Sequence, residues 1–126
     1  LNEHELATLT GRQTASAIEA IPMIRTLHDR GVTHVIVTLG SEGHLLSTEG
    51  NIEAQPAFLV EPIDTVAAGD TFVGAFASRL AERASLRDAA RWASAAAALS
   101  VTRAGAQSSI PNRGEVDLFL ARLSRT

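Results

Sequence analysis

The chain has 126 residues, 45% of them hydrophobic, and a formal net charge of -3, values that fit one ordinary globular domain. Lys, Cys and Tyr are absent and all 11 basic residues are Arg, which excludes a Walker lysine, a protein-kinase strand lysine, a Schiff base, a Ser-x-x-Lys nucleophile, disulfides and thiolate metal sites. The longest apolar runs, such as 95–99, fall far short of the roughly 18 residues of a membrane span. With no signal-like segment and with scattered rather than striped Arg, the chain reads as cytoplasmic, without membrane or nucleic-acid partners. It begins at Leu1, and its only Met is Met23, so it is expected to be part of a longer polypeptide.

In chain order, Asn2 and Glu5 form a capping-box pattern for a short helix that Gly11 stops. Ile18, Ile21, Met23, Ile24 and Leu27 predict a helix over about 14–30, with Pro22 bending it or marking its true start. Residues 32–39 are β-branched and almost continuously apolar, as in a strand buried on both faces. Turns at 40–43 and 49–51 then lead through 45–48 and 52–55 as an antiparallel hairpin. An extended piece is expected at 58–63, followed by helices over about 68–82 and 86–101, the latter an almost continuous Ala surface. A loop over 102–111 precedes a last helix, capped by Asn112 with Glu115 three residues on. Helices around mostly buried strands indicate an α/β layer fold, in which ligands collect at the carboxyl ends of strands, here after Thr38 and after Ile63.

The segment Asp64-Thr65-Val66-Ala67-Ala68-Gly69-Asp70 carries the most chemistry. Small residues at a helix start let backbone amides approach an anion, which the unpaired N–H groups and the helix dipole attract. A carboxylate at Asp70 opposes phosphate, a cost that makes sense if it takes a proton from an attacking hydroxyl. The same Asp70 also reads simply as a favourable acid in a first helical turn.

This segment resembles a signature of the ribokinase (PfkB) family of sugar kinases, Asp-Thr-x-Gly/Ala-Ala-Gly-Asp. Asn2-Glu3-His4-Glu5 is similar to the family's Asn-x-x-Glu motif, residues 38–43 (Thr-Leu-Gly-Ser-Glu-Gly) to its nucleotide loop, and 102–107 with 109–111 to its C-terminal segment. Ala67 and Gly105-Ala106-Gln107 lean toward the ribokinase branch. The resemblance implies the C-terminal portion of a three-layer ribokinase-like α/β fold and ATP-dependent phosphorylation of a sugar primary hydroxyl, D-ribose first. Fructose, 2-keto-3-deoxygluconate or a nucleoside are the other acceptors within the family, and a non-catalytic nucleotide-binding module is the alternative outside it.

On that resemblance Asp70 is the general base, and the amides of Ala67, Ala68, Gly69 and Asp70 form the anion hole. Asn2, Thr38, Leu39, Gly40, Ser41, Glu42, Gly43 and Ser94 line ATP. Glu5 helps hold Mg²⁺ through water. Asp64, the carbonyls of Val66, Ser100, Arg103 and Gly105, and Ser109 surround K⁺, an oxygen set that suits a large, weakly hydrated cation. Asn2 and Glu5 also read as a capping box, Gly40 to Gly43 as a plain turn, Asp64 as an Asx turn and Ser94 as a packing residue. The four His, Trp92 and the four Phe read as surface or core, with no paired metal spacing. The family's sugar-recognition motif and lid have no counterpart here. Residues 1–126 are therefore expected to be the nucleotide and base-carrying portion, poor in phosphotransfer alone, of a parent that forms a homodimer.

Overall fold

The computed structural model describes residues 1–11, 17–48, 51–103 and 111–124. Where composition suggests one domain, the chain divides into two compact units, Leu1–Ala57 and Phe58–Thr126.

The first unit holds α1 (Glu3–Thr10), α2 (Ala17–Asp29), β1 (His34–Thr38), a 3-10 turn (Gly40–Glu42), β2 (His44–Thr48) and β3 (Asn51–Gln55). The strands form one antiparallel sheet in the order β1-β2-β3, with Ile36 opposite Leu46 and Leu46 opposite Glu53. Both helices contact β1. Their apolar stripes (Leu6, Ala20, Met23, Ile24, Leu27) bury against Val35, Val37 and Leu45 in one core. Residues three and four apart on α2 share a face and alternate residues on β1 share another, so two periods of the sequence meet in a single apolar layer.

β1 is shorter than the predicted strand and alternates in burial: Val35 and Val37 are inside, Ile36 and Thr38 partly exposed, and Val32 exposed. Within this unit the strand buried along its length is β2, from His44 through Ser47, because it lies between two partners. Helix α2 runs through Pro22, which is thus not its start. Its last turn is fastened to β2 by His28: Nδ1 bonds the Val32 carbonyl at 2.6 Å, and Nε2 meets the hydroxyl of the fully buried Ser47 at 2.7 Å. Nδ1 must donate to a carbonyl, so in the neutral ring Nε2 accepts from Ser47.

The second unit holds α3 (Ala68–Ala81), α4 (Leu86–Val101) and α5 (Arg113–Ser124), with α4 packed on both others. Ala89, Ala90, Ala93, Ala95 and Ala96 are all buried, as a close helix contact requires. Ala95, Ala96 and Val116 centre a core with Phe58, Trp92, Leu99 and Phe119, and the Phe58 and Phe119 rings meet edge to face at 5.5 Å. Ser85 caps α4 by accepting from the Asp88 amide at 3.1 Å. Asn112 and Glu115 cap α5 reciprocally. Trp92 donates its indole N–H to Asp117, Arg79 lies over the Trp92 ring, and Glu82 accepts from both Arg79 and Arg113. The expected extended piece at 58–63 is not a strand. Pro62 has no N–H to give a ladder, and Leu59 and Ile63 stand exposed.

Candidate active-site elements

In the first unit the structure joins two motifs that lie 36 positions apart. Leu1 and Asn2 run parallel to the end of β1: the Leu1 backbone nitrogen donates to the Ile36 carbonyl at 2.9 Å, the Thr38 amide to the Leu1 carbonyl at 2.8 Å, and Asn2 bridges Thr38. The start of α1 and the loop after β1 therefore sit together at the carboxyl end of β1, where α/β sheets collect ligands. Asn2 accepts from the Glu5 amide at 2.8 Å and Glu5 accepts from the Asn2 amide at 2.9 Å, so both side chains form the expected capping box. The box uses one oxygen of each, and leaves the Asn2 amide N–H₂ and the second Glu5 oxygen outside it.

The loop after Thr38 is a braced turn. The Leu39 amide donates to the Gly43 carbonyl at 2.8 Å, and the Glu42 and Gly43 amides close back on Leu39 and Gly40. Gly40, Ser41 and Glu42 are exposed and Leu39 partly so. Gly43 differs: it is buried with φ +96°, and a Cβ there would lie 1.9 Å from the Gln55 carbonyl oxygen and 2.7 Å from the Ala57 nitrogen. Gly43 therefore positions the loop from beneath, because no other residue lets the chain pass so close to β3's exit. His44 next to it is 4% exposed, and burial pushes its imidazole pKa below the usual histidine value.

In the second unit Asp70 is exposed in the first turn of α3, whose N-cap is Ala67. The first α-helical amide bond of α3 is Thr71 to the Ala67 carbonyl, at 2.9 Å. The Gly69 and Asp70 amides thus precede the ladder and point out of the helix end, where the dipole is positive. Ala68 departs from the expected anion hole: its amide already donates to the Thr65 carbonyl at 3.2 Å, within the turn that leads into α3. The absence of a side-chain cap is part of the design of this helix end, since a Ser or Asp at position 67 would occupy the donors that Ala leaves open.

The turn itself is held by Asp64, which accepts from the Val66 amide at 3.0 Å as an Asx turn. The amides of Ile63 and Asp64 donate to the Val101 carbonyl at 2.6 and 3.0 Å, which seats Asp64 at the C-terminal end of α4. An acidic residue thus follows the negative end of a helix, and the Val66 amide is one of the donors that its carboxylate meets. The Ser100 carbonyl accepts the Arg103 amide at 3.2 Å, and the Ser100 hydroxyl turns back to the Ala97 carbonyl. Arg103 pairs through its guanidinium with Glu115, a partnership that no sequence spacing announces because the two lie 12 residues apart on different elements. Ser94 is buried on α4, at 8% exposure, and has the setting of a packing residue. Gly105 and Ser109 lie outside the described residues. Among the described residues no cluster of three His, Asp or Glu could hold a metal, and no helix is long and apolar enough to cross a membrane.

Residues 1–113 match the model of the pfkB family carbohydrate kinases. A ribokinase from Haemophilus influenzae is 45% identical over 119 residues, covering 94% of this chain and 39% of the relative. The crystal structure of a Thermotoga maritima ribokinase superposes with a TM-score of 0.87 at 42% identity, covering 95% of this chain and 40% of that one. Arabidopsis thaliana ribokinase, solved with ribose and ATP, superposes with a TM-score of 0.87 at 38% identity, over 94% of this chain and 39% of that one. The chain thus spans about two fifths of the length of these proteins and has the ribokinase-like α/β fold over that part. With its start-of-helix Asn, its braced loop after β1 and its uncapped α3 in place, the chain belongs to the pfkB family of carbohydrate kinases.

Proposed function

We propose that this chain is the nucleotide and base-carrying portion of an ATP-dependent sugar kinase that phosphorylates a primary hydroxyl, with D-ribose as the first acceptor. The observation that carries the reading is the first turn of α3, where the exposed Asp70 carboxylate stands beside the open amides of Gly69 and Asp70. In the reaction the Asp70 carboxylate takes the proton of the sugar hydroxyl as its oxygen bonds to the γ-phosphorus of ATP. The bond from that phosphorus to the bridging oxygen breaks, and ADP leaves. The amides of Gly69 and Asp70 stabilise charge on the equatorial phosphoryl oxygens, and the small Ala67 and Ala68 leave the phosphoryl group room to approach. A backbone anion hole suits a chain in which no Lys is available to meet the phosphate.

The ribose- and ATP-bound relative supports both substrates, and the parallel pairing of Asn2 with Thr38 supports a nucleotide site at that end of the sheet. Glu5 is exposed with one carboxylate oxygen outside its capping box, which fits a water-bridged Mg²⁺. That ion would neutralise the ATP phosphates. Asp64 at the carbonyl-bearing end of α4 fits a monovalent cation such as K⁺, with Val66, Ser100 and Arg103 offering carbonyls. The cation would add positive potential beside the α3 amides.

Because the chain spans about two fifths of its relatives, the 126 residues alone should show little sugar-dependent ATP turnover. The test is Asp70→Asn in a polypeptide that completes the chain to the relatives' length. Loss of a general base should lower kcat by roughly 10² to 10⁴-fold while Kd for ATP stays within about threefold. Undiminished turnover in this variant would overturn the reading.

A further inference from the structure

Helix α1 carries Asn2 and Glu5 at its start, yet packing holds little of the helix itself. Of its eight residues only Leu6 is buried, and its last turn has no basic residue to meet the negative end of the helix dipole. A helix of about two turns is marginal by itself. Its start is pinned to β1, where Leu1 and Asn2 pair with the end of that strand. A helix held at one end and by one buried side chain near its middle can tilt, and a tilt about Leu6 carries Glu5, the residue next to it.

The far end of α1 is tied by Arg30. Its guanidinium Nη1 donates at 2.7 Å to the Leu9 carbonyl, 21 positions away in sequence and one of the last-turn carbonyls that no amide inside the helix can reach. Gly11 meets another, its amide donating to the Ala7 carbonyl from a left-handed φ of 71°. Arg30 stands just past α2 with its own amide on the Thr26 and Leu27 carbonyls, and the last turn of α2 is fastened to β2 by His28 on the buried Ser47. The sheet thus reaches α1 twice, directly at Asn2 and through His28, α2 and Arg30 at Leu9. A planar guanidinium on a helix-end carbonyl supplies direction as well as charge.

We propose that Arg30 is a positioning residue for nucleotide binding: by holding the Leu9 end of α1 it fixes the tilt of that helix, and with it the place of the Glu5 carboxylate relative to the loop after β1. The inference rests on the nucleotide reading of Asn2 and Glu5 given above, and adds to it a residue outside the set that lines ATP. Arg30 acts through the helix. It therefore governs how tightly ATP with its Mg²⁺ is held, and not the transfer step at Asp70.

The test is a double-mutant cycle in the polypeptide completed to the relatives' length, with Kd for ATP measured by titration calorimetry in fixed excess Mg²⁺, a readout independent of turnover. Arg30→Met keeps the apolar stem and removes the donors, whereas Arg30→Lys keeps a charged donor. Arg30→Met should raise Kd for ATP by roughly fivefold and Arg30→Lys by less than about twofold, with kcat at saturating ATP within about twofold in both. Glu5→Gln keeps a side chain that can complete the capping box and removes the charge. If Arg30 acts through Glu5, adding Arg30→Met to Glu5→Gln raises Kd little beyond the Glu5→Gln value. Full multiplication of the two effects would mean that Arg30 only supports the fold, and overturns the proposal. So does an unmoved Kd in Arg30→Met. An unmoved Kd in Glu5→Gln instead brings down the nucleotide reading of the α1 start, whatever Arg30→Met does, and the role of Arg30 falls with it.

Discussion

The two units use their motif residues in opposite ways. In the first, the side chains of Asn2 and Glu5 are committed to a helix cap, and Gly43 is fixed by the backbone it touches, so the motif holds a loop in place. In the second, Ala67, Ala68 and Gly69 contribute almost no side chain at all, and the useful groups are amides that the lack of a cap leaves open. One site element is therefore a scaffold that makes its own hydrogen bonds, and the other is a helix end whose hydrogen bonds are deliberately not made. Small residues serve both, for a close approach in one unit and for an open helix end in the other.

The contrast predicts that damage in the second unit is chemical and damage in the first is structural. The largest effect should come from Asp70→Asn, which lowers kcat by roughly 10² to 10⁴-fold yet moves Tm little, because an exposed first-turn acid contributes only about 0.3–1 kcal/mol to its helix. A large fall in Tm would show that Asp70 is a structural acid and would erase the difference between the units.

Gly43→Ala is the converse case. The added Cβ meets backbone atoms of Gln55 and Ala57 that cannot swing aside, and φ +96° disfavours any L side chain. A destabilisation of about 1–3 kcal/mol is expected, measured by urea unfolding, together with weaker ATP binding by titration calorimetry. Equal stability with weaker binding would instead make Gly43 a direct ligand residue.

A smaller, pH-dependent effect belongs to His44. Burial holds its folded pKa below the unfolded value of about 6.5, so the unfolded chain binds the proton more readily. The stability that neutral His44 allows is complete above about pH 6.5 and is lost as pH falls from there toward the lowered folded pKa. Tm measured from pH 8 to pH 5 should decline in that window, and His44→Gln should flatten the decline.

The smallest effect should come from Glu82→Gln. Glu82 bonds Arg79 and Arg113, and the Arg113 guanidinium chiefly holds its pKa below the usual carboxylate value, but the group lies at the surface. Solvent screening should limit the change in Tm to about 2 °C, smaller still in 0.5 M salt. A larger shift would mean that the Arg79, Trp92 and Asp117 contacts around it act as one network.

Much of the fold was legible because local rules decided it. Helix α4 lies over the 86–101 expected from its Ala-rich surface, α3 begins at the expected Ala68, and both Asn caps form with the glutamates three residues on. The hairpin follows from its turns. Burial was less legible: 32–39 is as apolar as a fully buried strand, yet only alternate residues of β1 are inside, because burial depends on which neighbours flank the strand. The segment 58–63 has strand composition without a strand, since pairing needs a partner that composition cannot supply. Among the residues named for a site, Asn2 bridges Thr38 and Asp64 accepts from the Val66 amide, whereas Ser94 is buried and the Ala68 amide is spent within its turn.

The sequence by itself determined the chemistry available: no lysine, no thiol, a helix start made of small residues before an aspartate, and a pattern that identifies the family. Those are properties of residue types and short spacings, which a linear pattern records in full. Only the tertiary structure decided that Leu1 and Asn2 pair with the end of β1, that Gly43 must lack a Cβ because β3 leaves beneath it, and that Glu115 holds Arg103. Each of these joins residues 12 or more positions apart, and such contacts form only when packing brings separate elements together.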